Sequence, residues 1–437
     1  MSLAKPNTNH PFYKWEILSF LWVAFFLNQA DRQIFNVLLT SIKADLMLTD
    51  AQMGFIATTF NFAFAILVPI SGLLGDRISK RNILVFSILL WSIATMCTGF
   101  SSSMLMFIIF RSLATGMGEA LFGPAYVSTI ASYHKETRAL AMSIHQTSYY
   151  IGVVASSVIA TYVASLWGWR SAFVVFGAMG VIWGLLMLLR MRDKPRIVDL
   201  QAETQDIAQA PVKAEKIPIR ESFMAIFSAP TAIILVMGFS GLIFVLNGFL
   251  TWMPAYLQQN LGFTMESAAF NATFWTHISA FVGIILAGRL SDKLSAIKHS
   301  YRMLLQASGL LLAIPFILMM GSAKELWVVY LGLAGFGFTR AFFDANTYAV
   351  MYDVIPEKHR ASASGTMCMI GFGIGSLSSW IIGALKPIIG LSTGISMLAL
   401  VWLPCSLLLL VAYKFTYEKD YKKAQAIDAT DTNRLAS

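Results

Sequence analysis

Asp31 and Arg32 sit side by side in the middle of an apolar run from Ile17 to Ile42. As a helix that run would rise about 39 Å, enough to cross a bilayer with its interfaces. A charge at that depth costs about 3 kcal/mol or more, so it marks a functional site unless the two residues only neutralise each other. Neighbours on a helix point about 100° apart and pair poorly, which favours function. Glu119 is a second buried charge, about fifteen residues into a later apolar run from Met104. Burial favours the protonated form of a lone carboxylate, so Glu119 is a candidate proton carrier; the alternative is a glutamate tied down for the fold.

Further along, Arg340 and Asp344 stand four apart, on one helical face. They line a cavity, act as a gate that forms and breaks, or make a plain intrahelical pair; Asn346 extends the polar character. His145, Gln146 and Tyr149 open another run, where they could hydrogen-bond a polyhydroxylated solute. His145 would then titrate near neutral pH, or else it is a polar cap at the interface. Asn247 and Trp252 offer a matching polar and aromatic set in the second half of the chain, and Pro254 is expected to break the helix that carries them.

The elements that must hold these residues are membrane helices. The chain is 57% hydrophobic and 13% charged, about half the charged share of a soluble protein. Runs of spanning length recur about twelve times, and none alternates as a barrel strand would. The expected fold is therefore an all-α membrane protein of about twelve transmembrane helices, in two pseudo-symmetric six-helix bundles. Its segments are 1–190, a cytoplasmic linker 191–222, a second bundle 223–415 and a mobile polar tail 416–437. The net charge of +9 does not indicate nucleic acid, because Lys and Arg fall in alternate short loops: Arg77, Lys80 and Arg81; Lys135 and Arg138; Lys293 and Lys298; Lys358 and Arg360. That bias puts both termini in the cytoplasm of a cell-membrane protein. Cys97, Cys368 and Cys405 lie in apolar runs without metal spacing. No phosphate loop, metal cluster or nucleophile–base set is present, so no cofactor, no metal and no enzyme activity is expected.

The halves echo each other. Gly72 to Asp76-Arg77 follows the second span and Gly288 to Asp292-Lys293 follows the eighth; Gly116-Met-Gly118 answers Gly335-Phe-Gly337. With this repeat the sequence resembles the major facilitator superfamily, whose loop motif is matched by Gly72, Asp76, Arg77, Lys80 and Arg81, with Ser79 where glycine is usual. Asn28-Gln29-Ala30-Asp31-Arg32 and Gly116-Met-Gly118-Glu119-Ala120 are similar to motifs of its anion:cation symporters and spinster-like transporters. Trp169-Arg170-Ser171-Ala172-Phe173 and Thr251-Trp252-Met253-Pro254 fit the same groups.

The resemblance implies a monomeric secondary transporter. It would carry a small organic anion such as a sugar acid, with protons, by alternating access. Arg32, Arg111, Asn28, His145, Gln146, Tyr149, Asn247, Trp252, Arg340 and Asn346 would bind substrate. Asp31 and Glu119 would carry protons, and Asp76, Arg77, Arg81, Asp292 and Asp344 would gate. A spinster-like carrier of lysolipid and a non-transporting membrane sensor are the alternatives. One spacing departs from the family pattern. Arg111 precedes Glu119 by eight residues instead of seven, with Ser112 in the usual place. On a regular α-helix that turns the two about 80° apart.

Overall fold

The computed structural model describes residues 12–436 apart from 76–77, 135–136, 193–223, 225 and 324. Ten helices among the described residues are long and apolar enough to cross a membrane. One of these, Arg360–Phe415, is two helices meeting at Gly390, whose φ of 73° breaks the helical path. Tyr13–Val37 adds another, which carries Glu16, Asp31 and Arg32 and is the least apolar by pattern. The spans are numbered α1 (Tyr13–Val37), α2 (Asp50–Gly75), α3 (Lys80–Thr98), α4 (Met104–Tyr133), α5 (Arg138–Trp167) and α6 (Trp169–Arg190) in the first half. The second half holds α7 (Pro230–Leu261), α8 (Met265–Ile297), α9 (Tyr301–Ser322), α10 (Leu326–Val354), then α11 and α12 on either side of Gly390.

Local chemistry sets the ends. Ser79 and Thr264 cap α3 and α8 by accepting from the N–H groups of Asn82 and Ser267. Pro230 opens α7, and Gly262 closes it in the left-handed conformation that a side chain would disfavour. The repeated glycines have a packing use. A Cβ on Gly118 would press on Trp91 of α3, and one on Gly337 would overlap the Thr276 carbonyl of α8. Small residues let the tenth and fourth helices lie close to their neighbours.

Between the halves, α2 packs on α11 and α5 on α8. The face away from the termini, called distal below, is knitted by hydrogen bonds such as Thr58 Oγ1 to the Ser376 carbonyl at 2.7 Å.

Two expectations change. Pro254 does not break α7, which runs through it to Leu261; its missing N–H is absorbed without ending the helix. The tail is not free: α13 (Tyr417–Ala436) lies against the second half. Asp420 accepts from the Thr231 N–H, and Asp428 accepts from the Glu357 N–H and faces Arg360 at 3.5 Å. Tyr417 donates to Asp353 at 2.6 Å, and burial with that carboxylate pushes its phenol up, so it keeps its proton. The linker 191–222 lies almost wholly outside the described residues, as do Asp76 and Arg77.

Candidate functional site

α1 and α4 build the charged centre. Arg32 Nε donates to Glu119 Oε2 at 2.7 Å, joining the two helices. The Glu119 side chain is fully enclosed, while Arg32 is 24% exposed and lies over the rings of Phe60 and Phe64 of α2. Asn28 and Gln29 are hydrogen-bonded to each other one turn away, and Asn28 lies beside Glu119. Asp31 is buried next to Thr95 of α3, within electrostatic reach of Glu119 and Arg111.

Arg111 reaches this centre because α4 is not a regular α-helix. Residues Ile108–Ala114 form a π-helix. The Thr115 N–H bonds back five residues to the Phe110 carbonyl, and the Thr115 hydroxyl donates to the same oxygen at 3.0 Å. A π-turn takes in one extra residue without advancing the face. Eight residues with one such turn act as seven, and the expected 80° offset falls to about 20°. Arg111 therefore faces the site, buried over Phe60 at 4.2 Å and Phe35 at 5.4 Å. Ser112 turns away from the site into the buried contact with α2, where it donates to the Ile56 carbonyl at 2.9 Å.

Arg32 and Arg111 line a cavity of about 180 Å³ at the junction of the halves. Gln29, Gln33 and Asn36 from α1, Asn61 from α2 and Tyr149 from α5 share its wall; α7 contributes Asn247 and Thr251 from the opposite half. Several of these polar groups are buried without a hydrogen-bond partner: Nε and Nη1 of Arg111, Nδ2 of Asn247 and Oε1 of Gln33. An unmet donor or acceptor in a dry site costs about 1–3 kcal/mol, so a wall carrying four is built to be met by a polar guest. Glu119 Oε1 is buried and unmet as well.

Other named residues lie elsewhere. His145 is buried against Tyr126 and Phe25, with ring centres 4.3 and 4.9 Å away, in the aromatic packing of α1, α4 and α5. Gln146 is exposed beside it. Trp252 is fully buried and donates to the Ser379 carbonyl at 2.9 Å; its neighbour Thr251 lines the cavity instead. Asn346 is taken up by Ser291 of α8 and by the Phe342 carbonyl. Arg340 and Asp344 pair within α10 at 3.5 Å. Tyr149 lies within electrostatic reach of Arg340 and Arg32, so it stands between the charges of the two halves. Arg81 fastens the start of α3 to the end of α6 by donating to the Met191 carbonyl at 2.6 Å and to that of Leu188. Asp292 is exposed at the end of α8.

Gln33, Asn36 and Asn61 join the site beyond the residues that the sequence points to. The pairs Gln29 and Gln33, and Arg32 and Asn36, stand four apart on α1 and were the available signal.

The profile of the Major Facilitator Superfamily matches residues 21–379. The chain belongs to this superfamily. It is a multi-pass membrane transporter by family, and not an enzyme. Among curated relatives, it is 27% identical over 382 residues to a probable sulfoacetate transporter of Cupriavidus necator, covering 83% of this chain and 85% of that one. It is 25% identical over 403 residues to a hexuronate transporter of Bacillus subtilis, covering 88% and 91%. A bacterial homologue of the human lysosomal transporter Spinster, solved inward-facing and unoccupied, superposes with a TM-score of 0.81 over 93% of this chain and 98% of that one, at 21% identity.

Proposed function

We propose that this transporter moves a small polyhydroxylated organic anion, of the sugar-acid type, together with protons, by rocking its halves about the central cavity. The observation that carries this reading is Arg111: a buried guanidinium with two unmet nitrogens, facing a cavity whose wall mixes Arg32, amides and hydroxyls with apolar side chains such as Phe60 and Leu250. A carboxylate satisfies an arginine fork through charge-assisted bonds, and the amides of Gln33 and Asn247 suit hydroxyl groups. Asn247 belongs to the other half, so a bound solute would touch both bundles. The relatives' substrates support an anionic solute: a hexuronate is a sugar acid, and sulfoacetate is a small organic dianion.

Proton coupling follows from charge balance. Asp31 and Glu119 face Arg32 and Arg111 in one buried group. An arriving carboxylate consumes positive charge there, and a proton taken up on Glu119 or Asp31 restores neutrality. Anion and proton binding then favour each other by linkage. In this reading the protein works as a monomer in the cell membrane with both termini cytoplasmic, and the distal face is the outside.

One observation favours a second reading, an amphipathic solute such as lysolipid. A nearly apolar cleft of about 420 Å³, larger than the central cavity, opens between α5 and α8, lined by Tyr150, Ile151, Phe274, His277 and Phe281. It has little to hold a charged head group, which is why the anion reading ranks first. Uptake of labelled hexuronates and hexonates into proteoliposomes under an imposed pH gradient tests the two. Gradient-driven uptake competed by sugar acids is expected. Competition by lysolipid alone, or uptake unchanged in Arg111→Ala, would overturn the anion assignment.

A further inference from the structure

The distal face is closed by a charge cluster that spans the two halves. Asp50, the first residue of α2, accepts from Lys43 of its own half at Oδ2 and from Lys386 of α11 at Oδ1, both at 2.8 Å. Each oxygen of the carboxylate thus carries one cation, from different sides of the molecule. The side chains of Asp50 and Lys386 are only 11% and 14% exposed, so water and salt screen this contact weakly.

The backbones around it are nearly in contact. A Cβ on Gly54 of α2 would overlap the Ser379 carbonyl of α11, and one on Gly383 would overlap the Asp50 carbonyl. Thr58 donates to the Ser376 carbonyl and accepts from the Trp380 N–H. Face-to-face glycines and a shared carboxylate let α2 and α11 close over the cavity without leaving a side-chain gap.

The same stretch of α11 is tied to the cavity wall. Ser379 shares a hydroxyl hydrogen bond with Thr251 at 2.9 Å, and Thr251 lines the cavity. The Trp252 indole donates to the Ser379 carbonyl, and the Lys386 ammonium lies 5.4 Å from its ring. A solute pressing on Thr251 therefore pushes on the segment that carries Lys386.

We propose that Asp50 and Lys386 form the distal gate of this transporter. Their ion pair holds the distal mouth shut and parts when that mouth opens; Lys43 only orients Asp50 within its own half. The inference rests on the alternating-access reading, but not on the identity of the solute or the coupling ion.

The test is accessibility. In full-length protein with Cys97, Cys368 and Cys405 replaced by serine, Asn36→Cys places a reporter in the cavity. A membrane-impermeant maleimide is applied to the distal side, with Met47→Cys, on an exposed distal turn, as the control for sidedness and folding. Lys386→Gln and Asp50→Asn are expected to raise the labelling rate of the reporter on the order of tenfold. Lys43→Gln should leave it near the parent rate. The swap Asp50→Lys with Lys386→Asp should bring labelling back down, which a merely damaged fold would not do. The gate is overturned if the two single variants label at the parent rate, if Lys43→Gln opens the site as much as Lys386→Gln, or if the swap stays as open as its components while Met47→Cys labels normally. The readout needs no substrate, so a wrong solute assignment would leave it standing.

Discussion

The first half builds its central charged group between helices, whereas the central pair of the second half, Arg340 and Asp344, lies within one. Arg32 of α1 meets Glu119 of α4, with Arg111 and Asp31 close by. Arg340 faces Asp344 at 3.5 Å one turn along α10, with its Nε buried and without a hydrogen-bond partner. An ion pair between helices changes when either helix moves, or when a ligand competes for one partner. A pair within a helix survives rigid-body motion of that helix. The two bundles share a fold, yet in the proposed cycle it is the first whose central charges would couple binding, proton transfer and helix position. The second supplies a wall: Asn247 and Thr251.

Breaking the first arrangement should have the largest effect. Arg111→Ala removes the unmet guanidinium, and a charge-assisted contact of about 3 kcal/mol corresponds to a loss of roughly 100-fold in uptake kcat/KM. Arg111→Lys should recover little, since a lysine cannot present two donors in one plane. Initial-rate uptake across substrate concentrations measures both. Glu119→Gln keeps the shape and removes the charge that Arg32 is bonded to. Accumulation driven by a pH gradient should vanish, while exchange of labelled for unlabelled substrate at equal pH persists. If Glu119→Gln still accumulates solute against its gradient, the proton role fails.

On the second half the expected effects shrink. Asn247→Ala loses one neutral hydrogen bond of about 1 kcal/mol and should raise KM by roughly fivefold at nearly unchanged maximal rate. Arg340→Gln with Asp344→Asn removes a pair held within one helix, and the double variant should transport better than either single one, each of which strands a charge in the bilayer. A double variant as impaired as Arg111→Ala would mean that the second half also takes part in the charge chemistry.

How much of this could be read in the sequence differs by the kind of information needed. Spans and their pairing into halves follow from hydropathy and from repeated small residues, because lipid imposes both. Asp31, Arg32 and Glu119 stand out because an intramembrane charge is costly wherever it occurs. The cavity amides Gln33, Asn36 and Asn61 are cheaper to bury and draw less notice, and their convergence depends on how α1 crosses α2. Lys43 and Lys386 look like ordinary loop cations until the halves are brought together over Asp50. Tyr417–Ala436 has the composition of a free tail. Its contacts with Thr231, Asp353 and Glu357 are distant in the chain, and no local pattern announces them.

The π-turn in α4 is the least legible feature, and the one whose removal should cost least. Its extra residue is accommodated between Phe107 and Thr115, where nothing in residue type separates a π-turn from an α-turn. Leu113 lies in this segment with an exposed side chain. Deleting Leu113 shortens the Arg111–Glu119 spacing to seven and lets the segment relax to a regular α-helix, which keeps Arg111 on the site face. The deletion is therefore expected to retain uptake within roughly threefold of the parent, with the cost confined to the lost Leu113 contact and a shift of about one residue's rise at the distal end. Inserting one alanine after Leu113 instead gives a spacing of nine. The π-turn can absorb only one of the two extra residues, so Arg111 turns about 80° from the site and uptake should fall as far as in Arg111→Ala. Equal loss in the deletion and the insertion would show that Arg111 depends on the π-turn for more than its register.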